Sequence, residues 1–446
     1  MDPQLHKPAI DGTSDNPPEV GESRSQDPPR DLSGTKESYP TRSEIDQRLK
    51  VLLPLKICRV ITRLNIGGPS VQATLLTSKL SPPAFQSVLV SGIEDEREGN
   101  YLDLIEPEKR QELPLEIIET LSRAPRPTTD LATLAKLVTL LRRLRPDIVH
   151  THMAKAGTLG RIAAHLTGVP IVIHTFHGNT FEGYFSPAVS AAVRAWETVL
   201  ASMSDCVIAI TPSQIEELAS AGISRKKIRL VPLGIPLDRF DEIPPKRAAR
   251  QAFGVPETAL CIGWVARLVP IKDPLLMVEA VGAIAAHKSS KVVLLVAGDG
   301  PLREQVVELG GKLGVEIRLV GWQRDLAMLY AACDVVALSS KNEGFPVALV
   351  EAIASRRPVA STDVGGVAEL FATAGQGVLA QKRTADHLAE AILEAVETPK
   401  AQLEVSARLV KDAYGEERLV SDISMLYKEL AFAKAEQLQR RRAKRP

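Results

Sequence analysis

The sequence lacks any uninterrupted apolar run of the roughly 20 residues that a membrane-spanning helix requires. Its first residues, MDPQLHKPAIDGTSDNPPEV, contain neither the basic nor the apolar segment of a secretory signal. Both absences predict a cytoplasmic protein. Peripheral contact with the inner face of the plasma membrane is the one membrane role that this leaves open.

The sequence also has few cysteines and little net charge. The formal net charge is only +1, so the chain has no broad basic field to hold nucleic acid, and no nucleic-acid partner is expected. The cysteines are far apart, contain no CxxC pair and show no metal-ligand spacing, which predicts reduced thiols. They are Cys58, Cys206, Cys261 and Cys333.

The distribution of residue types predicts a tail followed by two α/β domains. Residues 1–50 are rich in proline, serine and acidic residues and are predicted to be disordered. Short β-branched runs then alternate with amphipathic helix-length segments, and this alternation begins again after the proline-rich VPLGIPLDRFDEIPP. We therefore expect two doubly wound, Rossmann-like domains at 51–235 and 236–412, then a C-terminal helix and basic tail at 413–446.

The stretch NEGFPVALVEA contains two glutamates, Glu343 and Glu351. Pro346 is predicted to be the first residue of an apolar, buried helix. Glu351 would then lie among small side chains, with room for two hydroxyl groups of a ribose or sugar ring to reach its carboxylate. Glu343 would lie near the helix N-terminus, where N–H groups of Phe345 and Val347 can bind oxygens. The alternative is that Glu351 pairs with a lysine or arginine of the core.

Two cations follow the strand candidate LCIGWVAR, at Arg267 and Lys272. At the carboxyl end of a strand they could hold a diphosphate, because arginine grips two oxygens and lysine adds a point charge. The alternative is a solvated surface pair. In the first domain, Gly67 and Gly68 follow the first strand and would let a phosphate approach the backbone, although such a pair also marks an ordinary tight turn.

The stretch HTFHGNTFEGYF carries two histidines and several aromatic residues. No third ligand is spaced to form a metal site with His174 and His177, so a hydrogen-bonded core histidine is expected at 174. His177 could project into the cleft and bind a sugar hydroxyl. The aromatic residues either belong to the core or form an apolar lip that receives a lipid-linked acceptor. They are Phe176, Phe181, Tyr184 and Phe185.

Over about residues 56–430 the chain resembles the retaining glycosyltransferases of family 4, which have the GT-B architecture. The resemblance is carried by EGFPVALVEA and supported by GDGPL, VGW and STDVGGVAEL in the same order. It implies a catalytic set of Arg267, Lys272, Glu343 and His177. It also implies a donor site at Gly67, Gly68, Arg267, Lys272, Val320, Gly321, Glu343, Gly344, Phe345, Pro346, Val347 and Glu351. The family commonly has glycine after the second cation, where this chain has Asp273.

The resemblance further implies transfer of a sugar from an NDP-sugar, with UDP expected as the nucleotide, to a hydroxyl of a carbohydrate or lipid-linked acceptor. Neither cofactor nor metal is expected, and the setting would be synthesis of cell-envelope polysaccharide or glycolipid. A nucleotide-sugar epimerase and a non-catalytic scaffold that binds sugar nucleotides are the alternatives. A dinucleotide oxidoreductase is disfavoured, because GDGPLR has arginine where GxGxxG has its last glycine.

Overall fold

A computed structural model describes residues 45, 47, 49–94, 99–124, 126–178, 187–288 and 290–443. Most of the predicted tail, residues 1–44, lies outside these ranges, as do residues 444–446 at the basic end. Two residues of the predicted tail are described and have buried side chains. Ile45 is 4% exposed and Leu49 is 1% exposed, and both pack in one apolar cluster with Leu52. The core of the first domain therefore takes in residues before the predicted boundary at 51.

The first lobe is built on a seven-stranded parallel sheet with the order β3-β2-β1-β4-β5-β6-β7. Its central strands are buried on both faces, as expected for a parallel sheet covered by helices on both sides, and they carry several buried polar side chains among the apolar ones. The strands are β1 (Leu55–Ile61), β2 (Phe85–Ser91), β3 (Leu115–Ile117), β4 (Ile148–His152), β5 (Ile171–Thr175), β6 (Cys206–Ala209) and β7 (Ile228–Leu230). The helices are α1 (Gly68–Lys79), α2 (Pro107–Glu112), α3 (Pro127–Leu144), α4 (Ala154–Leu166), α5 (Pro187–Ser202) and α6 (Pro212–Ser220).

The second lobe repeats this plan with a six-stranded parallel sheet in the order β10-β9-β8-β11-β12-β13. The strands are β8 (Leu260–Val265), β9 (Val292–Ala297), β10 (Glu316–Leu319), β11 (Val335–Leu338), β12 (Val359–Thr362) and β13 (Val378–Ala380). The helices are α7 (Lys246–Ala252), α8 (Pro274–His287), α9 (Arg303–Leu313), α10 (Leu326–Ala332), α11 (Val347–Ala354), α12 (Val367–Ala374), α13 (Ala385–Val396) and α14 (Lys400–Tyr414). The predicted α/β class with two doubly wound domains is confirmed.

The last helices return to the first lobe. They are α15 (Glu416–Ala433) and α16 (Ala435–Ala443). Leu419 and Ile423 on α15 are fully buried in the same apolar cluster as Ile57 of β1. The chain therefore crosses between the lobes twice, and the two crossings lie side by side because Ile235 donates its N–H to the Tyr414 carbonyl at 2.9 Å. The apolar face of α15 therefore forms part of the core of the first lobe.

The sheet orders determine where ligands can bind. In both sheets the strand order reverses beside the first strand, between β1 and β4 in the first lobe and between β8 and β11 in the second. Ligands of open parallel sheets bind at the carboxyl ends of the strands on either side of such a reversal. The loops after these four strands face each other and carry most of the predicted site residues.

Candidate active site

A cavity of about 1360 Å³ lies between the two lobes and is lined by the loops that follow β1, β4, β8 and β11. Two predicted site residues, Val320 and Gly321, do not line it. Gly321 accepts the Gly298 N–H at 2.8 Å, and this turn instead brings Trp322 to the cavity wall. The predicted residues that do line the cavity are Gly67, Gly68, His177, Arg267, Lys272, Glu343, Gly344, Phe345, Pro346, Val347 and Glu351.

Glu351 lies on α11 at the cavity wall and is only 6% exposed. One carboxylate oxygen is ion-paired with Arg239, and the other accepts the Tyr330 hydroxyl at 3.0 Å. The cation-pair alternative is therefore realised, but not by a core residue: the Arg239 side chain is 45% exposed and itself lines the cavity. Arg239 lies in the short 3-10 helix Asp238–Phe240, after the first crossing between the lobes. A buried acid that faces the cavity and is covered by a half-exposed arginine can exchange that partner for a ligand.

The helix that carries Glu351 begins one residue later than predicted. Pro346 has φ −84° and ψ 74°, so it occupies the N-cap position and Val347 is the first helical residue. Prolines suit a helix start because they have no N–H to leave unpaired. The change of one position leaves Glu351 on the buried face that lines the cavity.

Glu343 and Lys272 meet at the floor of the cavity. The Lys272 ammonium lies 2.5 Å from Glu343 Oε1, and the Ser340 hydroxyl donates to the same oxygen at 2.7 Å. Glu343 is 5% exposed, whereas Lys272 keeps 22% of its side chain accessible. Glu343 thus holds the lysine at the cavity wall, where the ammonium group also reaches the space open to a ligand.

Asp273 stands where the family pattern has glycine, directly after the loop that carries Arg267 and Lys272. Asp273 has φ +47°, in the left-handed region that glycine adopts freely and that aspartate adopts more readily than most residues. Its carboxylate is ion-paired with Arg383 and lies 3.6 Å from the Lys341 ammonium. The departure from the family pattern is therefore accommodated at Asp273 itself, and both cations still line the cavity.

Glycines allow the two lobes to touch beside the cavity. A Cβ atom on Gly344 would lie 2.2 Å from the carbonyl oxygen of His177, and one on Gly68 would lie 3.1 Å from Val347 Cγ2. Gly68 opens helix α1 and Val347 opens helix α11, so two helix N-termini approach each other across the cleft. Positive ends of helix dipoles favour anions, and any side chain at 344 would force the lobes apart.

His177 lies at the junction of the lobes and is backed by a second histidine. Its Nε2 atom lies 2.9 Å from Nδ1 of His152, which is fully buried. Burial lowers the pKa of His177 to about 3, and burial also lowers the pKa of His152 well below its usual value. His174 is a core histidine as predicted, because it is 1% exposed and its Nδ1 lies 2.9 Å from the Thr151 hydroxyl. Among the described residues, no cluster of histidine, cysteine, aspartate or glutamate is arranged to hold a metal ion.

These histidines make folding sensitive to acid. Burial lowers the pKa of His150, His152, His174 and His177 in the folded chain, so the unfolded chain binds more protons below about pH 6.5. The free energy of unfolding should therefore fall on acidification, by up to about 1.4 kcal/mol per pH unit for each such histidine. Urea unfolding at pH 7.5, 6.5 and 5.5 measures this slope.

A matched pair of variants tests the source of that slope. His174→Gln should reduce the slope, whereas His165→Gln, at an exposed position of α4, should leave it unchanged. Equal free energies of unfolding at pH 7.5 and pH 5.5 in the unsubstituted chain would contradict the prediction.

Sequence reasoning missed Arg239, which lines the cavity, and two fully buried residues behind the cavity wall, Tyr330 and His152. Arg239 and Tyr330 give no local hint of their role, since their partner is 112 and 21 residues away in the chain. His152 could have been noticed, because His150 and His152 in PDIVHTH must point to one face of a strand. The first lobe also brings further basic residues to the cavity wall, which are Arg63, Arg123, Arg126 and Lys155.

The predicted aromatic lip is only partly described. Phe176 is 3% exposed and belongs to the core, whereas Phe181, Tyr184 and Phe185 lie outside the described residues. Helix α5 instead brings Val193 and Trp196 to the cavity wall, and the Trp196 side chain is 47% exposed. No helix of the described chain is both long and apolar enough to span a bilayer.

Fold and site together define a GT-B protein, with two Rossmann-like lobes that face each other across a cleft lined by both charged and apolar residues. Family profiles agree with this class. The profile described as "Glycosyl transferase 4-like domain" matches residues 67–234, and that described as "Glycosyl transferases group 1" matches residues 245–415. The chain belongs to these glycosyltransferase families.

Curated relatives carry related names. The chain is 30% identical over 256 residues to the UDP-Gal:alpha-D-GlcNAc-diphosphoundecaprenol alpha-1,3-galactosyltransferase of Escherichia coli, covering 56% of this chain and 66% of that protein. It is 31% identical to the putative teichuronic acid biosynthesis glycosyltransferase TuaC of Bacillus subtilis, covering 56% of this chain and 61% of TuaC. Each alignment thus spans slightly less than two thirds of the relative's own length.

Solved structures share the fold over nearly their whole length. Anabaena HepE, crystallised with UDP and glucose, matches with a TM-score of 0.69 at 20% identity, covering 84% of this chain and 99% of HepE. The sucrose-phosphate synthase of Thermosynechococcus elongatus matches with a TM-score of 0.71 at 20% identity, covering 85% of this chain and 100% of that chain. At this level of identity the similarity supports the fold alone.

Proposed function

We propose that the chain transfers a glycosyl unit from a UDP-sugar to a hydroxyl group, with retention of anomeric configuration. The observation that carries this proposal is that polar groups from both lobes line the same cavity. The second lobe contributes Glu351, Glu343, Arg267 and Lys272, and the first lobe contributes the N-terminus of α1 and His177. A sugar nucleotide requires a carboxylate that can bind its ribose hydroxyls and, next to it, cations that can bind its diphosphate.

In this proposal the donor lies across the floor of the cleft. The ribose hydroxyls bind Glu351 after Arg239 has moved aside, and the diphosphate binds Arg267, Lys272 and the N–H groups around Gly68. These positive groups stabilise the charge that develops on the leaving UDP, so the reaction needs no metal and no other cofactor. The transferred sugar then lies beside Glu343, Gly344 and His177.

Retention is proposed through attack on the same face of the sugar. The acids that line the cavity within the described residues each have a cationic partner: Glu343 with Lys272, Glu351 with Arg239, Asp130 with Lys155 and Glu197 with Arg161. A carboxylate in an ion pair is a poor nucleophile, which supports a mechanism without a covalent glycosyl-enzyme. The acceptor hydroxyl bonds to the anomeric carbon while the bond to UDP breaks, and its proton passes to the departing phosphate oxygen.

The acceptor is proposed to be lipid-linked and anionic. Arg123, Arg126 and Lys155 lie on the first-lobe wall of the cavity, and Val193 and Trp196 of α5 lie on the same wall. Cations suit a phosphate or diphosphate, and the exposed Trp196 with the partly buried Val193 beside it suits a lipid chain at a membrane surface. A diphosphate-linked lipid is also named as the substrate of the E. coli relative. A role in envelope polysaccharide or glycolipid synthesis, with the protein bound peripherally at the inner face of the plasma membrane, follows from this acceptor.

A panel of UDP-sugars tests the proposed function. The purified chain should be stabilised against heat by UDP and by at least one UDP-sugar, and should then hydrolyse that donor slowly. Adding a polyprenyl-diphosphate-linked sugar should accelerate UDP release far more than adding the free sugar, and NMR of the product should show a retained anomeric configuration.

Each remaining outcome of this experiment decides against the proposal. Conversion of one UDP-sugar into another without an acceptor would identify an epimerase. Donor binding without turnover on any acceptor would identify a scaffold. The absence of stabilisation by every UDP-sugar would remove the donor site itself.

A further inference from the structure

His177 is hydrogen-bonded to the first of a chain of buried polar residues. His152 Nδ1 lies 2.9 Å from His177 Nε2, and the ring of His150 stacks on that of His152 with centroids 4.3 Å apart. His150 is itself held at both nitrogens, by the hydroxyl groups of Thr175 and Tyr427 at 2.7 Å each. Tyr427 comes from α15, so the returning C-terminal helix supports the active site. Because His177 uses Nε2 for His152, its Nδ1 is the ring nitrogen that remains for a ligand.

Both rings are neutral, so the hydrogen bond between His152 Nδ1 and His177 Nε2 contains a single proton. Either His152 donates from Nδ1 to His177, or His177 donates from Nε2 to His152. The second arrangement leaves the remaining proton of His152 on its Nε2 atom. That atom is fully buried and has no hydrogen-bond partner among the described residues. A buried N–H without an acceptor is rarer in proteins than a buried acceptor without a donor. The geometry therefore favours donation by His152.

We propose that His152 is a positioning residue that holds His177 in the tautomer with hydrogen on Nδ1, so that His177 presents a hydrogen-bond donor to the sugar. The identity of the ligand as a sugar rests on the proposed function. The position of the hydrogen on the His177 ring does not. In this tautomer His177 cannot accept the proton of the attacking hydroxyl. That proton must go to the departing phosphate oxygen, and the part played by His177 is to bind the sugar.

Nitrogen NMR of the unliganded protein tests the proposal directly. The chain has eight histidines, and uniform ¹⁵N labelling of them reports which ring nitrogen carries hydrogen. The His177 signals are identified by their loss in His177→Gln. We expect a protonated Nδ1 and a bare Nε2 in the unsubstituted chain. A His177 ring with hydrogen on Nε2 would overturn the proposal whether or not the His152 variants fold.

Two substitutions of equal size supply the matched comparison. His152→Asn places an N–H close to the position of Nδ1, whereas His152→Asp places only carboxylate oxygens there. His152→Asn should keep the tautomer and keep kcat within about 3-fold. His152→Asp should move hydrogen to Nε2 of His177 and lower kcat by about 10- to 100-fold, the range expected for loss of one donor in a cavity. A loss of activity in both variants with an unchanged His177 spectrum would indicate a merely structural role and contradict the proposal.

The NMR measurement also separates this proposal from the proposed function. It requires neither donor nor turnover. If the unsubstituted chain has the expected His177 tautomer but transfers no sugar, the proposed function fails and the inference about His152 stands. If transfer is observed and hydrogen is on Nε2, the reverse holds.

Discussion

Replacing Lys272 with methionine is expected to lower kcat for transfer by about 100- to 1000-fold, the range measured when one preorganised stabilising group is removed from an active site. The Lys272 ammonium lies 2.5 Å from Glu343 and lines the cavity beside Arg267. In the proposed mechanism its charge acts mainly on the phosphate oxygens as UDP leaves, so the dissociation constant for UDP should rise much less. Single-turnover kinetics together with calorimetric titration of UDP measure the two effects separately.

The same substitution leaves Glu343, which is 5% exposed, without its cation, so a loss of stability must be separated from a loss of catalysis. Assays at several temperatures well below the Tm of the variant make this separation. Lys341→Met is the matched control, because Lys341 follows β11, is 45% exposed and pairs only weakly with Asp273 at 3.6 Å. Its kcat should stay near that of the unsubstituted chain. A Lys272→Met enzyme with kcat within 3-fold of the original would remove Lys272 from the mechanism.

Glu351→Gln is expected to weaken UDP binding by about 10- to 100-fold, because hydrogen bonds to a charged acceptor contribute about 1.5–3 kcal/mol. Glutamine has the same shape and can still accept the Tyr330 hydroxyl, which lies 3.0 Å from Oε2 in the unsubstituted chain. The variant therefore removes the charge and little packing. Calorimetric titration with UDP measures the change, and thermal unfolding without ligand measures any effect on the fold.

This variant also decides between the two readings of Glu351. If the carboxylate serves only to neutralise Arg239, the Tm falls and the dissociation constant for UDP does not change. Glu404→Gln provides the control, since Glu404 is also ion-paired, with Arg356 at 2.7 Å, but is 57% exposed and does not line the cavity. Its affinity for UDP should equal that of the unsubstituted chain.

Much of the fold could be predicted because the information is local. The sequence predicts strands at eleven short runs, and each run overlaps a strand of the described chain, since a buried parallel strand is a short run of apolar, β-branched residues. The runs are KICRVITRL, QSVLVSG, PDIVHTH, PIVIHTFHG, DCVIAITP, KIRLVPLG, LCIGWVAR, KVVLLVAGDG, EIRLVGW, DVVALSS and PVASTDVGG. The missed strands are β3 and β13, which have three residues each and lie at the sheet edges. Three residues are too few to show the pattern of a strand, although both segments are mainly apolar. Leu115–Ile117 has no fully buried side chain.

The candidate site was predicted in its parts but not in its contacts. Glu343, Glu351, Arg267 and Lys272 line one cavity as expected. Neither the Lys272–Glu343 ion pair nor the Arg239–Glu351 ion pair was predicted, because the partners are 71 and 112 residues apart in the chain. Val320 and Gly321 were placed at the site by resemblance, and the turn they form directs the next residue, Trp322, to the cavity instead.

The sequence by itself determined the repeating strand–helix pattern, the presence of two domains and the residue types that a sugar nucleotide requires. Those properties depend on the order of side chains within about 15 residues, where backbone periodicity and turn chemistry act. Only the tertiary structure decided that α15 returns to the first lobe, that Arg239 covers Glu351, and that His152 stands behind His177. Such contacts depend on how distant segments meet after both sheets have formed. Burial of a shared apolar core, and not any local preference of the chain, brings them together.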